Sequence, residues 1–208
     1  MPLRRITIKN IMIPDLNISL ESERTLLRPL TKDDEPALQE IANEESLWIY
    51  GTSDLSRPGE LKKYISSAIA DRMNDSCAVW VVIDKRSGNI AGCTRLADIS
   101  WKDERGQIGW TWIGNDFQRS GLNRYMKFLI LSYGFETLGL NRIELKADER
   151  NHRSRQAILG IGATCEGVLR EHIKLHDGYI RNTVYYSILR SEWKTIKEQY
   201  FSNFIMYE

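Results

Sequence analysis

Gln118-Arg119-Ser120-Gly121-Leu122-Asn123-Arg124 joins an alternating run to one that repeats at helical spacing. Upstream, Arg105 to Ile113 reads as a strand with Ile108, Trp110 and Trp112 on one face and Gln107, Gly109, Thr111 and Ile113 on the other. Downstream, Leu122, Tyr125, Met126, Leu129 and Tyr133 mark a helix that ends near Gly139. The first N–H groups of a helix have no partner within it, the helix dipole favours negative charge there, and Gly121 carries no Cβ to keep a ligand from the backbone. Strand, glycine loop and helix start together describe an anion site, to which Arg119 and Arg124 add positive charge. Alone, the same seven residues are better read as an ordinary loop before a surface helix, so the flanking sequence decides.

Toward the N-terminus, Ser19 to Arg28 reads as a strand, and Thr31 as an N-cap ahead of Asp33, Asp34 and Glu35, which suit the positive end of a helix. A turn at Arg57-Pro58-Gly59 precedes a second helix through Leu61, Tyr64, Ile65 and Ile69. Ala78 to Ile83 and Ile90 to Ile99 form a hairpin around Ser87-Gly88-Asn89. Beyond the central helix, Arg142 to Ala147 alternates, with Ile143, Leu145 and Ala147 on one face. Asn151 to Ile161 is a short helix closed by Gly162, and Ala163 to Ile173 pairs with Tyr179 to Leu189 through His176-Asp177-Gly178. The order β-α-α-β-β-β-α-β-α-β-β predicts an α/β (mixed α+β) fold with a mixed sheet and helices on both faces.

The chain of 208 residues carries 29 Lys+Arg against 28 Asp+Glu, so no global field attracts nucleic acid or an acidic membrane. No apolar run reaches the roughly 20 residues that span a bilayer, and Met1 to Ile13 lacks the features of a signal peptide. Cys77, Cys93 and Cys165 are odd in number and far apart, which predicts buried, reduced thiols in a cytoplasmic protein. His172 and His176 fall on a strand and its turn, about 13 Å apart if extended, and cannot share a metal ion. No metal site is expected. One domain is read over residues 18–190, with an N-terminal arm over 1–17 and a C-terminal docking helix over 191–208. Trp193, Ile196, Tyr200, Phe201 and Phe204 form that helix's apolar stripe, which suits its own domain or a homodimer partner equally well.

The segment 118–124 resembles the acyl-CoA pyrophosphate loop of the GNAT superfamily of N-acetyltransferases, whose pattern is Gln or Arg, two residues, Gly, one residue, then Gly or Ala. Asn123 replaces the second small residue. Supporting matches are Glu23 to Pro29 on the first strand, Ile108 to Trp112 before the loop, Asn141-Arg142 opening the next strand, and Asn151-His152-Arg153-Ser154 with Gly162-Ala163. The likeness is greatest to the Rim-type branch, which acetylates the N-termini of ribosomal proteins and includes small-molecule acetyltransferases.

The resemblance implies a single GNAT-type domain built on a splayed mixed sheet of about seven strands. It further implies direct acetyl transfer from acetyl-CoA to a primary amine, most simply a peptide α-amine, with an aminoglycoside or polyamine acceptor, or a non-catalytic acyl-CoA-binding module, as the alternatives. Carried over by position, Gln118, Arg119, Ser120, Gly121, Leu122, Asn123 and Arg124 hold the pyrophosphate, and the backbones of Trp112 and Ile113 hold pantetheine. The Thr111 N–H polarises the thioester, Asn151 touches pantetheine, and Ser154 stands near the departing thiolate. The side chains of Trp110 and Trp112 are expected in the core. Many relatives carry a Glu base eleven residues before the loop's Gln, where this chain has Gln107, and a Tyr acid where it has Ile158. Asp98, Glu104 and His172 are the substitute candidates, and His152 is expected at the surface or against the CoA adenosine.

Overall fold

The computed structural model describes residues 14–204 and, ahead of them, the backbone of β1 (Thr7–Ile8) and β2 (Ile11–Met12), which pair antiparallel. The elements that follow are β3 (Leu20–Glu21), β4 (Thr25–Pro29), α1 (Glu35–Ala42), α2 (Glu60–Met73), β5 (Ala78–Asp84), β6 (Ile90–Ser100) and β7 (Arg105–Ile113). Then come α3 (Leu122–Ser132), β8 (Arg142–Asp148), α4 (His152–Leu159), β9 (Thr164–Lys174), β10 (Ile180–Leu189) and α5 (Arg190–Tyr200).

Eight strands form one sheet in the order β3-β4-β5-β6-β7-β8-β10-β9. The expected first strand is two, because the chain turns at Ser22, whose N–H reaches the Thr25 carbonyl at 2.9 Å. Neighbouring strands run antiparallel except β7 and β8, where α3 makes the crossover that a parallel pair requires.

Alternation in β5 sorts the core. Trp80 and Val82 join a cluster with α3 and α5, whereas Val79 and Val81 join a second cluster with α1 and α2 on the opposite face. Ile143, Leu145 and Ala147 share the first cluster, as their spacing predicts. Leu16, two residues ahead of the expected domain start, is buried there too. The stripe of α5 packs on its own chain: Trp193, Ile196 and Phe201 are buried in the first cluster, with Tyr200 and Phe204 against it. Cys77 and Cys93 are buried, but Cys165 is exposed, because β9 is the sheet's outer edge and presents nearly every side chain to solvent.

Candidate active site

The parallel pairing of β7 with β8 is short. It holds Arg105–Ile108 against Arg142–Leu145 and then stops, although both strands continue. From Gly109 onward β7 is paired only with β6, and a gap opens between the two central strands.

At the mouth of this gap β7 bulges. Gly109 pairs with Arg95 and Trp112 with Cys93, so Trp110 and Thr111 together oppose Thr94. Trp110 has φ +48°, a conformation that a bulky residue adopts only when its surroundings impose it. The extra residue shifts the alternation. Ile108 and Ile113 lie in the first cluster and Trp112 in the second, so Ile108 and Trp112 do not share the face their spacing predicts. Trp112 is buried as expected. Trp110 is not: it is 40% exposed and stands against Arg95, which corrects the core placement read from its type. Gly92 pairs with Ile113 at φ +150°, and a Cβ there would overlap the Trp112 carbonyl.

Beneath the bulge, the Thr111 hydroxyl lies 2.8 Å from the Thr94 hydroxyl and 3.2 Å from Lys127 Nζ. Lys127 is on α3, is only 7% exposed, and makes no ion pair among the described residues. Desolvation alone pulls its pKa down to about 7. Nothing in the residue spacing singles out Lys127, because the apolar stripe of the helix is set by Leu122, Tyr125, Met126 and Leu129.

The loop leaving β7 turns back on itself through two left-handed residues, Arg119 at φ +60° and Gly121 at φ +86°, the second being the N-cap of α3. The backbone N–H groups of Arg119, Ser120, Gly121 and Asn123 have no protein acceptor among the described residues. Four such donors at the positive end of an 11-residue helix outline a cradle whose electrostatics favour an anion. A Cβ built on Gly121 meets nothing within 4 Å, so the cradle opens to solvent on that side.

The remaining loop residues serve it from within. Ser120 Oγ donates to the Phe117 carbonyl at 2.6 Å, and Leu122 is fully buried. Gln118 donates from Nε2 to the Ile113 carbonyl at 2.8 Å and accepts from Arg153 at Oε1, tying the end of β7 and the start of α4 to the loop. The Ile113 carbonyl is thereby occupied. Arg124 faces away: its guanidinium bonds the Tyr200 carbonyl and lies over Phe201 and Phe204, and its N–H bonds the Gly121 carbonyl. The positive charge expected of Arg124 at the loop is thus engaged by the C-terminal segment.

Asn151 caps α4, its Oδ1 accepting from the Ser154 N–H at 3.0 Å, and so fixes Ser154 at the helix start that Arg153 holds to the loop. Gln107 is 8% exposed and sits where β7 still pairs with Glu144 of β8, its Oε1 without a hydrogen-bond partner. The substitute bases are elsewhere. Glu104 is exposed at the β6–β7 turn, about 20 Å along the strand from Trp110; Asp98 is exposed at an irregularity of β6; and His172 lies on β9 against Tyr185. Ile158 is buried in the core.

On the α2 side of the bulge a cavity of about 260 Å³ is walled by Tyr64, Arg95 and Trp110. A larger groove of about 510 Å³ at the start of α1 is lined by Lys32, Asp33 and Glu35, and no site residue reaches it.

Residues 24–164, well over half of the chain, match the model of the acetyltransferase (GNAT) domain family. The chain is 27% identical over 172 residues to the uncharacterized N-acetyltransferase YoaA of Bacillus subtilis, covering 82% of this chain and 96% of that protein. It is 31% identical over 107 residues to YdaF of the same organism, provisionally named a ribosomal N-acetyltransferase, covering 51% of this chain and 57% of YdaF. It is 24% identical over 167 residues to the spermidine N(1)-acetyltransferase of Escherichia coli K12, covering 80% and 87%. A GCN5-related N-acetyltransferase from Brucella melitensis superposes with a TM-score of 0.81 at 26% identity, over 89% of this chain and 85% of that one. With its splayed central strands, bulge and free-donor loop, the chain belongs to the GNAT family and is an N-acetyltransferase.

Proposed function

We propose that this enzyme transfers the acetyl group of acetyl-CoA directly to the α-amine of a peptide or protein N-terminus. The observation that carries the reading is the end of β7–β8 pairing at Ile108, immediately ahead of the free N–H groups of the loop. A strand edge without a partner accepts an extended, amide-bearing chain, and the cradle at its end accepts a diphosphate. Acetyl-CoA has both, in that order.

In this reading the diphosphate takes the N–H groups of Arg119, Ser120, Gly121 and Asn123, with the Arg119 side chain nearby, while Gln118 and Leu122 hold the loop in shape. The stretch through Trp112 and Ile113, which has no strand partner on its β8 side, receives pantetheine there, and Asn151 and Ser154 approach from α4. The Thr111 N–H at the bulge donates to the thioester oxygen as charge develops there, an interaction worth about 2.7 to 4 kcal/mol in related acyl chemistry. The neutral attacking amine forms the C–N bond, the C–S bond breaks, and the proton lost from the amine nitrogen passes through water to the departing CoA thiolate, with Ser154 as the neighbouring hydroxyl. Gln107 positions water or substrate but accepts no proton.

The choice of acceptor follows from the base. At pH 7, freeing a lysine amine of pKa ~10.4 costs about 4.6 kcal/mol, against about 1.1 for an α-amine of pKa ~7.8. With Asp98 and Glu104 off the bulge and Glu60 paired to Lys63, the site favours the amine that is already partly neutral. Spermidine carries only high-pKa amines and would meet Arg95 and Lys63 at the cavity.

The test is acetyl transfer at pH 7 to a peptide with a free α-amine and no lysine, to its Nα-blocked lysine-containing counterpart, and to spermidine. The free α-amine should give the highest kcat/KM. Preference for either of the other two overturns the assignment.

A further inference from the structure

We infer that the acceptor carries an anionic group, a carboxylate in the first instance, which Arg95 receives at the wall of the cavity beside the bulge. The inference deepens the acceptor assignment above and rests on it.

Arg95 is on β6, paired with Gly109 just ahead of the bulge. Its side chain lies under α2 and is 4% exposed, yet it lines the cavity. The guanidinium carbon lies over two aromatic rings, 4.1 Å from the centre of Tyr64 and 5.5 Å from that of Trp110. Nε donates to Tyr64 Oη and Nη2 to the Tyr64 carbonyl, both at 3.3 Å. Both acceptors are neutral, since burial pushes the Tyr64 phenol far above its ordinary range. The carboxylate in reach is Asp71, whose Oδ2 is 3.5 Å from Nη1 and whose side chain is half exposed. Such a contact is long for a charge-assisted bond and weakened by water.

A guanidinium has five N–H donors, and taking its charge out of water is costly without a close anion. Here two donors meet neutral oxygens and one meets a distant, hydrated carboxylate. The acid that lines the cavity is already engaged: Glu60 pairs with Lys63 at 2.7 Å. Asp71 lies outside the lining and only at 3.5 Å, so Arg95 is the lining charge that has no close partner within the cavity.

Substrate anions complete this arrangement and polycations oppose it. At about 260 Å³ the cavity is smaller than the roughly 300 to 1,000 Å³ usual for whole ligands, so it suits one end group rather than a whole molecule. A carboxylate near the reacting amine has two sources. One is an acidic side chain close to a peptide N-terminus, the other the α-carboxylate of a free amino acid.

The test compares kcat/KM at saturating acetyl-CoA for matched acceptors: alaninamide against alanine, and Ala-Gln-amide against Ala-Glu-amide. The anionic member of at least one pair should be preferred tenfold or more, and the pair that shows it names the source. Arg95→Met should erase the preference without changing acetyl-CoA affinity, and Arg95→Lys should restore part of it. Should Arg95→Met fail to fold, wild-type enzyme suffices: N-acetylalanine should inhibit competitively against whichever amine is accepted, and N-acetylalaninamide at least tenfold more weakly. Equal rates within both pairs, together with equal inhibition, overturn the inference and leave the α-amine assignment standing. If no α-amine is acetylated, that assignment fails, and the inhibition arm still decides whether the site binds an anion.

Discussion

Lys127 Nζ lies 3.2 Å from Thr111 Oγ1, so a buried amine with no counter-charge among the described residues supports the bulged residue pair at the mouth of the gap. Its pKa falls from the usual lysine range to about 7 because burial disfavours the ammonium. The unfolded chain then binds a proton that the folded protein releases between pH ~7 and ~10.4, so this residue's penalty is full below pH 7 and fades as pH rises. Lys127→Met should be more stable than wild type at pH 6, by up to about 4 kcal/mol, and match it near pH 10. Urea unfolding at both values checks the sign. The same variant should lose about tenfold in kcat with acetyl-CoA affinity retained, because Thr111 loses a hydrogen-bond partner at the point where the proposed transfer polarises the thioester.

Gly121→Val should remove most acetyl-CoA binding while the fold persists. Its φ of +86° disfavours any β-branched residue, and the open space around its Cβ position is the approach to the free N–H groups. A calorimetric titration with near-wild-type affinity would refute the loop assignment.

The two arginines of the loop should behave differently. Arg119→Ala should weaken CoA more than an analogue lacking the diphosphate, since its charge is free to act on phosphate. Arg124→Ala should instead loosen the C-terminal segment, where it bonds Tyr200 and covers Phe201 and Phe204. The expected outcome is a loss of about 1 kcal/mol in stability with little change in affinity. Thermal unfolding and calorimetry on both variants separate the two roles.

Gln107→Glu should raise the acetylation of lysine amines relative to α-amines. A carboxyl at this buried position, opposite Glu144, would be pushed up toward neutral pH by desolvation and by a like charge, the condition of a useful base. The ratio of kcat/KM values for the two amines at pH 8 measures it, and an unchanged ratio would show that Gln107 is not placed to take a proton.

Much of this was legible before any coordinates. The Ser87-Gly88-Asn89 turn between β5 and β6, the alternation of β8 and the stripe of α3 place strands and helices correctly, and Gly121 with Gln118 marks the turn into α3. The bulge was not legible, because period-two reasoning assumes a regular strand and Trp110 is a residue that seldom takes φ of +48°. The end of β7–β8 pairing enters only through the resemblance, which implies a splayed sheet; residue spacing does not reveal it, since a strand alternates whether or not a neighbour is present. Lys127 escaped because a buried lysine reads as a solvated one until the facing strand is known. Arg124 was assigned by its neighbours in sequence, whereas its position on the first turn of α3 points it toward α5.

The short seam between β7 and β8 makes the sheet mechanically a pair of leaves: β3 to β7 on one side, and β8, β10 and β9 on the other, joined along four residues of each strand. A cosubstrate seated in the gap would act as a splice across them, supplying the rungs that the protein withholds. Opening of the smaller leaf would then be governed by acetyl-CoA concentration, since a ligand bound only when both leaves are in register stabilises that register by mass action. Amide exchange in β8 and β10 should slow on saturation, while β5 and β6, fully paired within the larger leaf, should hardly respond.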